Sequence, residues 1–296
     1  MKSFFNRLVV RICKSVALLP FWVIYILSDV MYFIVYHLIS YRKKVVLENL
    51  THSFPEKSPQ EINTIMKKFY RHLCDVSLET LKYSRMTEHD VDERVKMSGM
   101  EIFEEYYNQG KSVILLTMHY NNWEWLGAMQ RFMKPQFSYV YNNMRSNPEF
   151  EDFMLKTRVH LGGKSVPIGH SVRTALSFAN SAKPQGLMLV ADQTSPSNSQ
   201  FWTTFLNQET AFFSGPMKIA AKTNQPVILL HIKKTSRGHY EFCNSKLIEN
   251  PSAVEPEEIL LAYVRSIEAI IKAEPEYWLW SHRRWKHKRP ENIPLK

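Results

Sequence analysis

A short apolar run followed at once by helical periodicity constrains the fold of this chain most. Residues 112–118 read SVILLTM, which has the length and the β-branched core of a buried strand. From Trp123 to residue 133 the apolar residues recur at helical spacing. His119 is therefore expected where a strand ends and a helix begins. In open α/β sheets, ligands bind outside such strand ends.

His119 and Glu124 are predicted to form a catalytic pair at this junction. On one continuous helix, a five-residue separation leaves two side chains about 140° apart, but a strand-to-helix turn lets them face each other. A carboxylate at one imidazole nitrogen makes the other nitrogen a better base toward a hydroxyl. The same spacing also arises by chance, and the strand-end position favours the catalytic interpretation. Asn122 is predicted as the N-cap of the helix.

The order of strand and helix patterns after Gly110 predicts the fold class. Strands are expected at residues 112–118, 137–141, 186–191, 226–232 and 240–248. Helices are expected at residues 123–133, 148–161, 171–182, 214–223 and 256–273. This alternation predicts an α/β fold with a mixed, mostly parallel sheet flanked by helices. Residues 194–213 show no periodicity, and their aromatic side chains either line an apolar tunnel or anchor a loop on the core.

The N-terminal residues are predicted to anchor the chain to a membrane. Between Lys14 and Arg42 the only formal charge is Asp29, and the stretch is long enough to cross a bilayer. Basic residues flank it on both sides, so the distribution of positive charge sets no orientation. We expect residues 1–40 to form a hydrophobic anchoring helix that either spans the bilayer or lies at its surface. The alternative is a buried core helix.

Charge and cysteine content narrow the function classes. The formal net charge of +10 suits an anionic partner, such as nucleic acid, an anionic membrane or a phosphorylated substrate. Three widely spaced cysteines predict reduced thiols and no metal site. The chain has no G-x-S-x-G motif, which disfavours a serine hydrolase. The basic and tryptophan-rich tail at residues 277–290 suits lipid headgroups or single-stranded nucleic acid, or is a solvated end.

Several segments together resemble the bacterial lipid A biosynthesis acyltransferases, within the lysophospholipid acyltransferase superfamily. Besides the His119-x4-Glu124 motif, the resemblance is carried by YRKKVVLENLTHSFPE at residues 41–56, VYNNMRSNPEF at 140–150, RVHLGG at 158–163, VADQ at 190–193 and WLWSHRRWKHKRP at 278–290. It implies that residues 41–296 form an acyltransferase domain.

The resemblance also implies a reaction and a location. A fatty acyl chain would pass from a thioester, on acyl carrier protein or coenzyme A, to a hydroxyl of a lipid A precursor. The reaction would take place on the cytoplasmic face of the inner membrane, and the thioester would be a co-substrate, so neither a cofactor nor a metal is expected. The expected partners are the thioester carrier, the lipid A precursor and the membrane, but not nucleic acid.

Site residues follow from the matching positions. The resemblance implies that His119 is the general base paired with Glu124, that Arg158 stabilises the oxyanion or holds a phosphate, and that Asp192 positions the loop or the donor. Five further residues are assigned to substrate binding: Asn121, Arg145, Gln193, Phe205 and Arg284.

Two departures from the family pattern leave alternatives for the acceptor. The family usually has Tyr-Arg-Pro where this chain has Tyr-Asn-Asn at residues 141–143, and PFFG where it has TFLN at residues 204–207. Another amphiphile, such as an aminolipid or a lysophospholipid, is therefore an alternative acceptor. A second alternative is a non-enzymatic basic protein that binds anionic lipid or nucleic acid. Oligonucleotide binding that weakens steeply with salt would identify the nucleic-acid binder.

Overall fold

A computed structural model describes residues 2–142, 147–196 and 198–296 of the chain. Its nine strands are β1 (Val95–Ser98), β2 (Val113–Thr117), β3 (Gln136–Tyr141), β4 (Lys164–Pro167), β5 (Gln185–Val190), β6 (Trp202–Phe205), β7 (Gln208–Ala211), β8 (Val227–Ser236) and β9 (His239–Ile248) in these ranges. Seven of them form one sheet in the order β1-β9-β8-β2-β5-β3-β4, and β6 pairs with β7 in a separate hairpin.

Ten α-helices surround this sheet in the described ranges. They are α1 (Lys2–Ala17), α2 (Phe21–Tyr32), α3 (Lys43–Ser53), α4 (Pro59–Tyr83), α5 (Glu88–Arg94), α6 (Met100–Asn108), α7 (Pro148–Val159), α8 (Ser171–Ala179), α9 (Gly215–Thr223) and α10 (Pro256–Ala273). A π-helical segment, Phe33–Leu38, continues α2. Short 3-10 helices lie at Trp123–Arg131, Ile168–His170, Pro251–Ala253 and Pro275–Tyr277.

The strand directions confirm the predicted fold class. All neighbouring strands of the large sheet pair in parallel except β8 and β9, which pair antiparallel. Because β2 and β5 are parallel neighbours, they end at the same edge of the sheet, where Thr117 pairs with Val190.

Both faces of the sheet are buried, which explains why β2 is apolar without alternation. Ile114 and Leu116 point into one core cluster, which includes Tyr263 of α10. Leu115 points into a second cluster, which includes Trp125 of the 3-10 helix that follows β2. The carboxyl end of β2 is thus held between two packed layers.

The long helix α4 begins as its sequence predicts. Ser58 accepts a hydrogen bond from the backbone N–H of Glu61, and the Glu61 carboxylate accepts one from the backbone of Ser58, so the pair forms a capping box. The apolar stripe of α4 that starts at Ile62 and includes Phe69 packs into the core, as expected for a helix with one buried face.

Residues 194–213 contain a hairpin that the sequence pattern does not reveal. Strands β6 and β7 are joined by Leu206 and Asn207, whose φ values of 50° and 60° fit the two-residue turn that matches the strand twist. The aromatic side chains of this region are buried at Phe201, Trp202, Phe205 and Phe212, and exposed at Phe213. Of the two interpretations, the packing favours aromatic residues that anchor the segment on the core.

Other elements differ from the sequence-based expectations in detail. The helix after β2 is a 3-10 helix, Trp123–Arg131, and is not α-helical. The strands β1 and β4 were not predicted, because each has only four residues. Cys13, Cys74 and Cys243 are free thiols, as predicted.

The N-terminal helices pack against the rest of the chain. Within the described residues, one helical segment, Phe21–Leu38, is long and apolar enough to cross a membrane by length and composition. Only 17% of this segment is buried, whereas a core helix is mostly buried. The predicted hydrophobic anchor therefore corresponds to a real helix with a mostly exposed surface.

Candidate active site

Two strand ends bring His119 and Asp192 together. His119 follows Thr117 of β2 by two residues, and Asp192 follows Val190 of β5 by two residues. Because Thr117 and Val190 pair in register, the two side chains leave the sheet at the same height. The imidazole Nδ1 of His119 lies 2.7 Å from Oδ1 of Asp192.

Asp192 is a buried carboxylate whose hydrogen bonds all come from His119 and Trp278 in the described part of the chain. Besides the imidazole, its Oδ2 accepts hydrogen bonds from the backbone N–H of His119 at 3.0 Å and from the indole of Trp278 at 2.8 Å. Burial by itself would raise the pKa of Asp192, but the charge and hydrogen bonds of His119 and the Trp278 bond outweigh it and lower the pKa. Asp192 is therefore ionised at neutral pH.

This contact corrects the predicted pairing of His119 with Glu124. The Glu124 carboxylate instead forms a two-pronged ion pair with Arg158, in which Nε and Nη2 each donate over 2.8 Å. The 3-10 helix that begins at Trp123 turns Glu124 toward α7, whereas the neighbouring strand β5 delivers a different carboxylate to the imidazole. The predicted residues are both at the site, but their partners differ.

A glycine makes the ion pair with α7 geometrically feasible. A Cβ atom on Gly127 would lie 2.1 Å from the carbonyl oxygen of Arg158 and 2.8 Å from the hydroxyl of Tyr83. Only a residue without a side chain lets the α7 backbone approach the 3-10 helix this closely. Gly127 therefore sets the distance at which Arg158 meets Glu124.

The proton distribution on His119 follows from its partners. An ionised carboxylate can only accept, so Nδ1 of His119 carries a proton that it donates to Asp192. In the neutral imidazole, Nε2 then carries the free lone pair, and it lies 3.0 Å from the side-chain nitrogen of Gln193, a group that can donate to it. The His119 side chain is 18% exposed, whereas that of Asp192 is 2% exposed. The imidazole is thus partly open to solvent, whereas its carboxylate partner is enclosed.

A buried glutamate of α4 supports the turn between His119 and Glu124, and the sequence does not reveal it. Glu79 accepts hydrogen bonds from Tyr25, Tyr240 and Asn122, over 3.0, 2.6 and 2.7 Å respectively. Asn122 occupies the predicted N-cap position, but its side chain makes no capping hydrogen bond, and its amide nitrogen donates to Glu79. Burial raises the pKa of Glu79 above its usual value, although the hydrogen bonds oppose this shift.

Two residues assigned to substrate binding, Asn121 and Phe205, lie in the interior. Asn121 is fully buried in the left-handed region, with φ 52°, and its amide donates to the carbonyl of Ile232 at 2.7 Å. Phe205 is fully buried and packs edge to face on Phe212. Because these side chains are buried, they support the site from the interior and do not line an open surface. Arg145 lies outside the described residues.

Arg284, also assigned to substrate binding, is a buried cation beside the site. Only 2% of it is exposed, its Nη2 donates to the carbonyl of Ala211 at 2.7 Å, and its guanidinium lies 4.5 Å from the ring centre of Phe212. Burial lowers the pKa of Arg284 to about 10, and the nearby Asp192 opposes the shift. Arg284 therefore remains charged at neutral pH and compensates the buried carboxylate of Asp192.

The C-terminal tail forms a wall of the site with its tryptophans, while Arg283, Lys286 and Lys288 remain exposed. Trp278 and Trp280 are buried, and Trp278 forms a β-bridge with Tyr120. The side-chain amide of Asn49, in the segment at residues 41–56, donates to the carbonyls of Trp280 and His282. The tail is thereby fixed where its indole reaches Asp192.

Metal-ligating side chains do not cluster in the part of the chain that the structure describes, where no group of three or more His, Cys, Asp or Glu residues could hold a metal ion.

Sequence comparison assigns this chain to a family. The family model described as bacterial lipid A biosynthesis acyltransferase matches residues 2–287. No curated protein matches the chain significantly. The matched range includes the whole site built around His119, Asp192, Glu124 and Arg158, together with the tail segment that carries Trp278. The chain is an acyltransferase and belongs to the bacterial lipid A biosynthesis acyltransferase family.

Proposed function

We propose that this protein transfers a fatty acyl chain from a thioester to a hydroxyl of a lipid A precursor, with His119 as general base. The observation that carries the proposal is the 2.7 Å contact between Nδ1 of His119 and the buried, ionised carboxylate of Asp192. This contact holds the imidazole in the tautomer whose Nε2 accepts a proton.

The proposed reaction proceeds by direct attack of the acceptor on the donor. Nε2 of His119 takes the proton of the acceptor hydroxyl while the oxygen bonds to the carbonyl carbon of the thioester. The carbonyl electron pair moves onto its oxygen and forms a tetrahedral oxyanion. When the oxyanion collapses, the carbon–sulfur bond breaks, and the departing thiolate takes the proton from the imidazolium. No covalent acyl-enzyme is needed.

Arg158 is the proposed electrostatic residue of the site. Its ion pair with Glu124 uses Nε and Nη2, and within the described residues Nη1 has no hydrogen-bond acceptor. A guanidinium N–H directed at the oxyanion, or at a phosphate of the acceptor, would stabilise negative charge. One well-placed donor is worth about 3 kcal/mol of transition-state stabilisation. Glu124 orients the guanidinium and, in this proposal, does not contact the imidazole.

The donor and the location complete the proposal. The acyl donor is a thioester of acyl carrier protein or coenzyme A, and the protein supplies neither a metal nor a cofactor. The apolar segment Phe21–Leu38 supports association with the inner membrane, with the catalytic residues on the cytoplasmic side. Gln193 must leave Nε2 of His119 when the acceptor binds, because both groups use the same lone pair.

Lipid mass spectrometry tests the proposal in cells. Cells that lack the gene are complemented with the wild type, with His119→Ala or with His89→Ala. His89 is a suitable control because its side chain is 82% exposed, on α5. We expect the lipid A of cells that lack the gene to have one acyl chain fewer. The wild type and His89→Ala should restore this chain, and His119→Ala should not.

The other outcomes separate the alternatives. If an aminolipid or a lysophospholipid product loses an acyl group and lipid A is unchanged, the acceptor assignment is wrong while the chemistry stands. If His119→Ala restores the lipid as well as the wild type does, His119 is not the base. The family assignment favours an enzyme over a non-enzymatic lipid or nucleic-acid binder.

A further inference from the structure

The N-terminal segment is bound along its length to the catalytic domain. The hydroxyl of Tyr25 donates to Glu79, that of Ser28 donates to Asp75, and that of Tyr36 donates to Asn63. As the residue numbers rise along α2 and the π-helical segment, their partners fall along α4. The two helices therefore lie side by side and antiparallel from residue 25 to residue 36.

Helix α1, which precedes the turn at residues 18–20, also contacts the catalytic domain. Asn6 of α1 donates to Glu149 of α7, and Lys82 at the end of α4 donates to the carbonyl of Ala17. The segments before and after Phe21–Leu38 thus both lie against the catalytic domain.

Charged groups surround the middle of the apolar segment. Arg237, in the turn between β8 and β9, forms ion pairs of 2.7 Å with Asp29 of α2 and with Asp75 of α4. Beside this pair is an open cleft of about 620 Å³, which is also lined by Lys68, Arg71, His72, Lys234 and Glu276. Asp29 is 65% exposed and Lys68 is 58% exposed at their side chains.

An upright orientation in a bilayer conflicts with these groups. Eighteen residues at 1.5 Å each extend about 27 Å, close to the thickness of the hydrocarbon core of about 30 Å. A slab of that thickness around Phe21–Leu38 would also enclose the cleft and the β8–β9 turn, which are attached to the helix. Each charge at the bilayer centre costs about 2.5–3.5 kcal/mol, and a lipid-exposed turn leaves backbone groups without partners.

The same helices also expose apolar side chains, with basic residues nearby. Phe5, Leu8 and Ile12 of α1 are exposed at one helical stripe, and Trp22, Ile26, Val30 and Phe33 form a second one. Exposed arginine and lysine side chains occur beside these stripes at Arg7, Arg11, Lys14, Arg42 and Lys44. An apolar face with basic neighbours is the pattern of a helix that lies in the headgroup region of an anionic membrane.

We infer that α1, α2 and the π-helical segment lie flat in one leaflet of an anionic bilayer and do not cross it. The exposed stripes enter the acyl boundary, while the charged cleft stays at the level of the headgroups. This inference rests on the membrane association in the proposed function and specifies its geometry. It places the N-terminus and the catalytic residues on the same side of the membrane.

Spin-label depth measurements test the inference on the full chain. The three cysteines are replaced, as Cys13→Ser, Cys74→Ala and Cys243→Ser. A single cysteine is then introduced as Trp22→Cys, Val30→Cys or Leu38→Cys, all at exposed positions. Lys183→Cys, at an exposed position between α8 and β5, is the aqueous control. The labelled proteins are added to preformed vesicles of phosphatidylcholine and phosphatidylglycerol.

We expect the three helix labels to lie at similar depths, about 5–10 Å below the headgroup boundary, and ascorbate outside the vesicles to reduce all of them. The inference is overturned if the label at position 30 lies about 15 Å deep, at the bilayer centre, while ascorbate reaches only one of the other two. It is also overturned if the protein does not bind these vesicles. Acyl transfer is measured in the same samples. A spanning depth profile with activity overturns only the flat geometry, and a flat profile without acyl transfer overturns only the proposed function.

Discussion

The contact between Nδ1 of His119 and Oδ1 of Asp192 joins two strand ends that are 73 residues apart in the chain. The same carboxylate also accepts the backbone N–H of His119, so both the ring and the main chain of this residue are held. A base that is fixed in one tautomer before substrate binds needs no reorganisation during proton transfer.

Asp192→Asn is expected to lower kcat about 10²- to 10⁴-fold, the range of general-base catalysis. The substituted amide can donate to Nδ1, which favours the tautomer with the proton on Nε2 and removes the basic lone pair. KM should change little, because the carboxylate is buried. Steady-state kinetics measure the effect, and Glu124→Gln is the comparison. A kcat within twofold of the wild type for Asp192→Asn would contradict the role of Asp192.

Acid stability provides a second test of Asp192. Because its pKa in the folded chain is lowered, the ionised carboxylate stabilises the fold above the unfolded-state pKa of about 3.9. That contribution is lost as the pH falls through the folded pKa. Thermal unfolding between about pH 6 and pH 3 should therefore show a smaller loss of Tm for Asp192→Asn than for the wild type. Equal losses in both proteins would argue against an ionised Asp192.

Trp278→Phe is expected to lower kcat about tenfold, or about 1.4 kcal/mol of activation free energy. The substitution keeps the aromatic ring and removes the indole bond to Asp192, which raises the pKa of that carboxyl. Trp280→Phe is the matched control, since its indole donates to the carbonyl of Pro275 and not to the site. Both variants should lose stability, whereas only Trp278→Phe should lose activity. Equal activities in the two variants would show that the indole bond does not affect catalysis.

Gly127→Ala is expected to separate Arg158 from Glu124. The new Cβ would meet the carbonyl oxygen of Arg158 at 2.1 Å, so α7 must shift, at a cost of about 1–3 kcal/mol in stability. Kinetic assays should show reduced kcat because the guanidinium moves. Gly169→Ala is the control, because no heavy atom lies within 4 Å of its added Cβ. Full activity of Gly127→Ala would mean that the ion pair tolerates displacement.

Glu79 is expected to make the fold less stable as the pH rises. Its pKa in the folded chain is raised by burial, so between the unfolded-state value of about 4.3 and the folded value only the folded chain keeps the proton. Glu79→Gln should remove this pH dependence, as measured by chemical denaturation at several pH values. Glu79→Ala should cost about 3 kcal/mol at all of them, because it leaves buried donors unpaired. An unchanged pH dependence in Glu79→Gln would show that Glu79 does not titrate in this range.

Local patterns were sufficient to predict five of the nine described strands, namely β2, β3, β5, β8 and β9. The capping box at Ser58 and Glu61 places the start of α4, and the buried run of β2 places His119 at a strand end. The β6–β7 hairpin was missed because its turn, at Leu206 and Asn207, contains no glycine or proline to indicate it. The helix at Trp123 was predicted with the wrong hydrogen-bond pattern, since 3-10 and α-helices share similar apolar spacing over short lengths.

The sequence indicates that His119 and Asp192 both lie at strand ends, but it does not pair them. His119 and Asp192 each follow a buried apolar run, and residues in such positions meet when their strands are parallel neighbours. The strand order that makes β2 and β5 neighbours depends on the packing of the whole sheet. Local patterns in a single sequence do not predict that order.

The sequence by itself determined the α/β class, the strand-end position of His119 and the apolar character of the N-terminal helices, because each depends on residues close together in the chain. Only the tertiary structure decided that Asp192 and not Glu124 holds the imidazole, that Arg158 takes Glu124, and that the tryptophan tail packs inward against Asp192. These contacts join residues that are 34 to 86 positions apart in the chain. Their partners are chosen by sheet register and helix packing, which local periodicity does not encode.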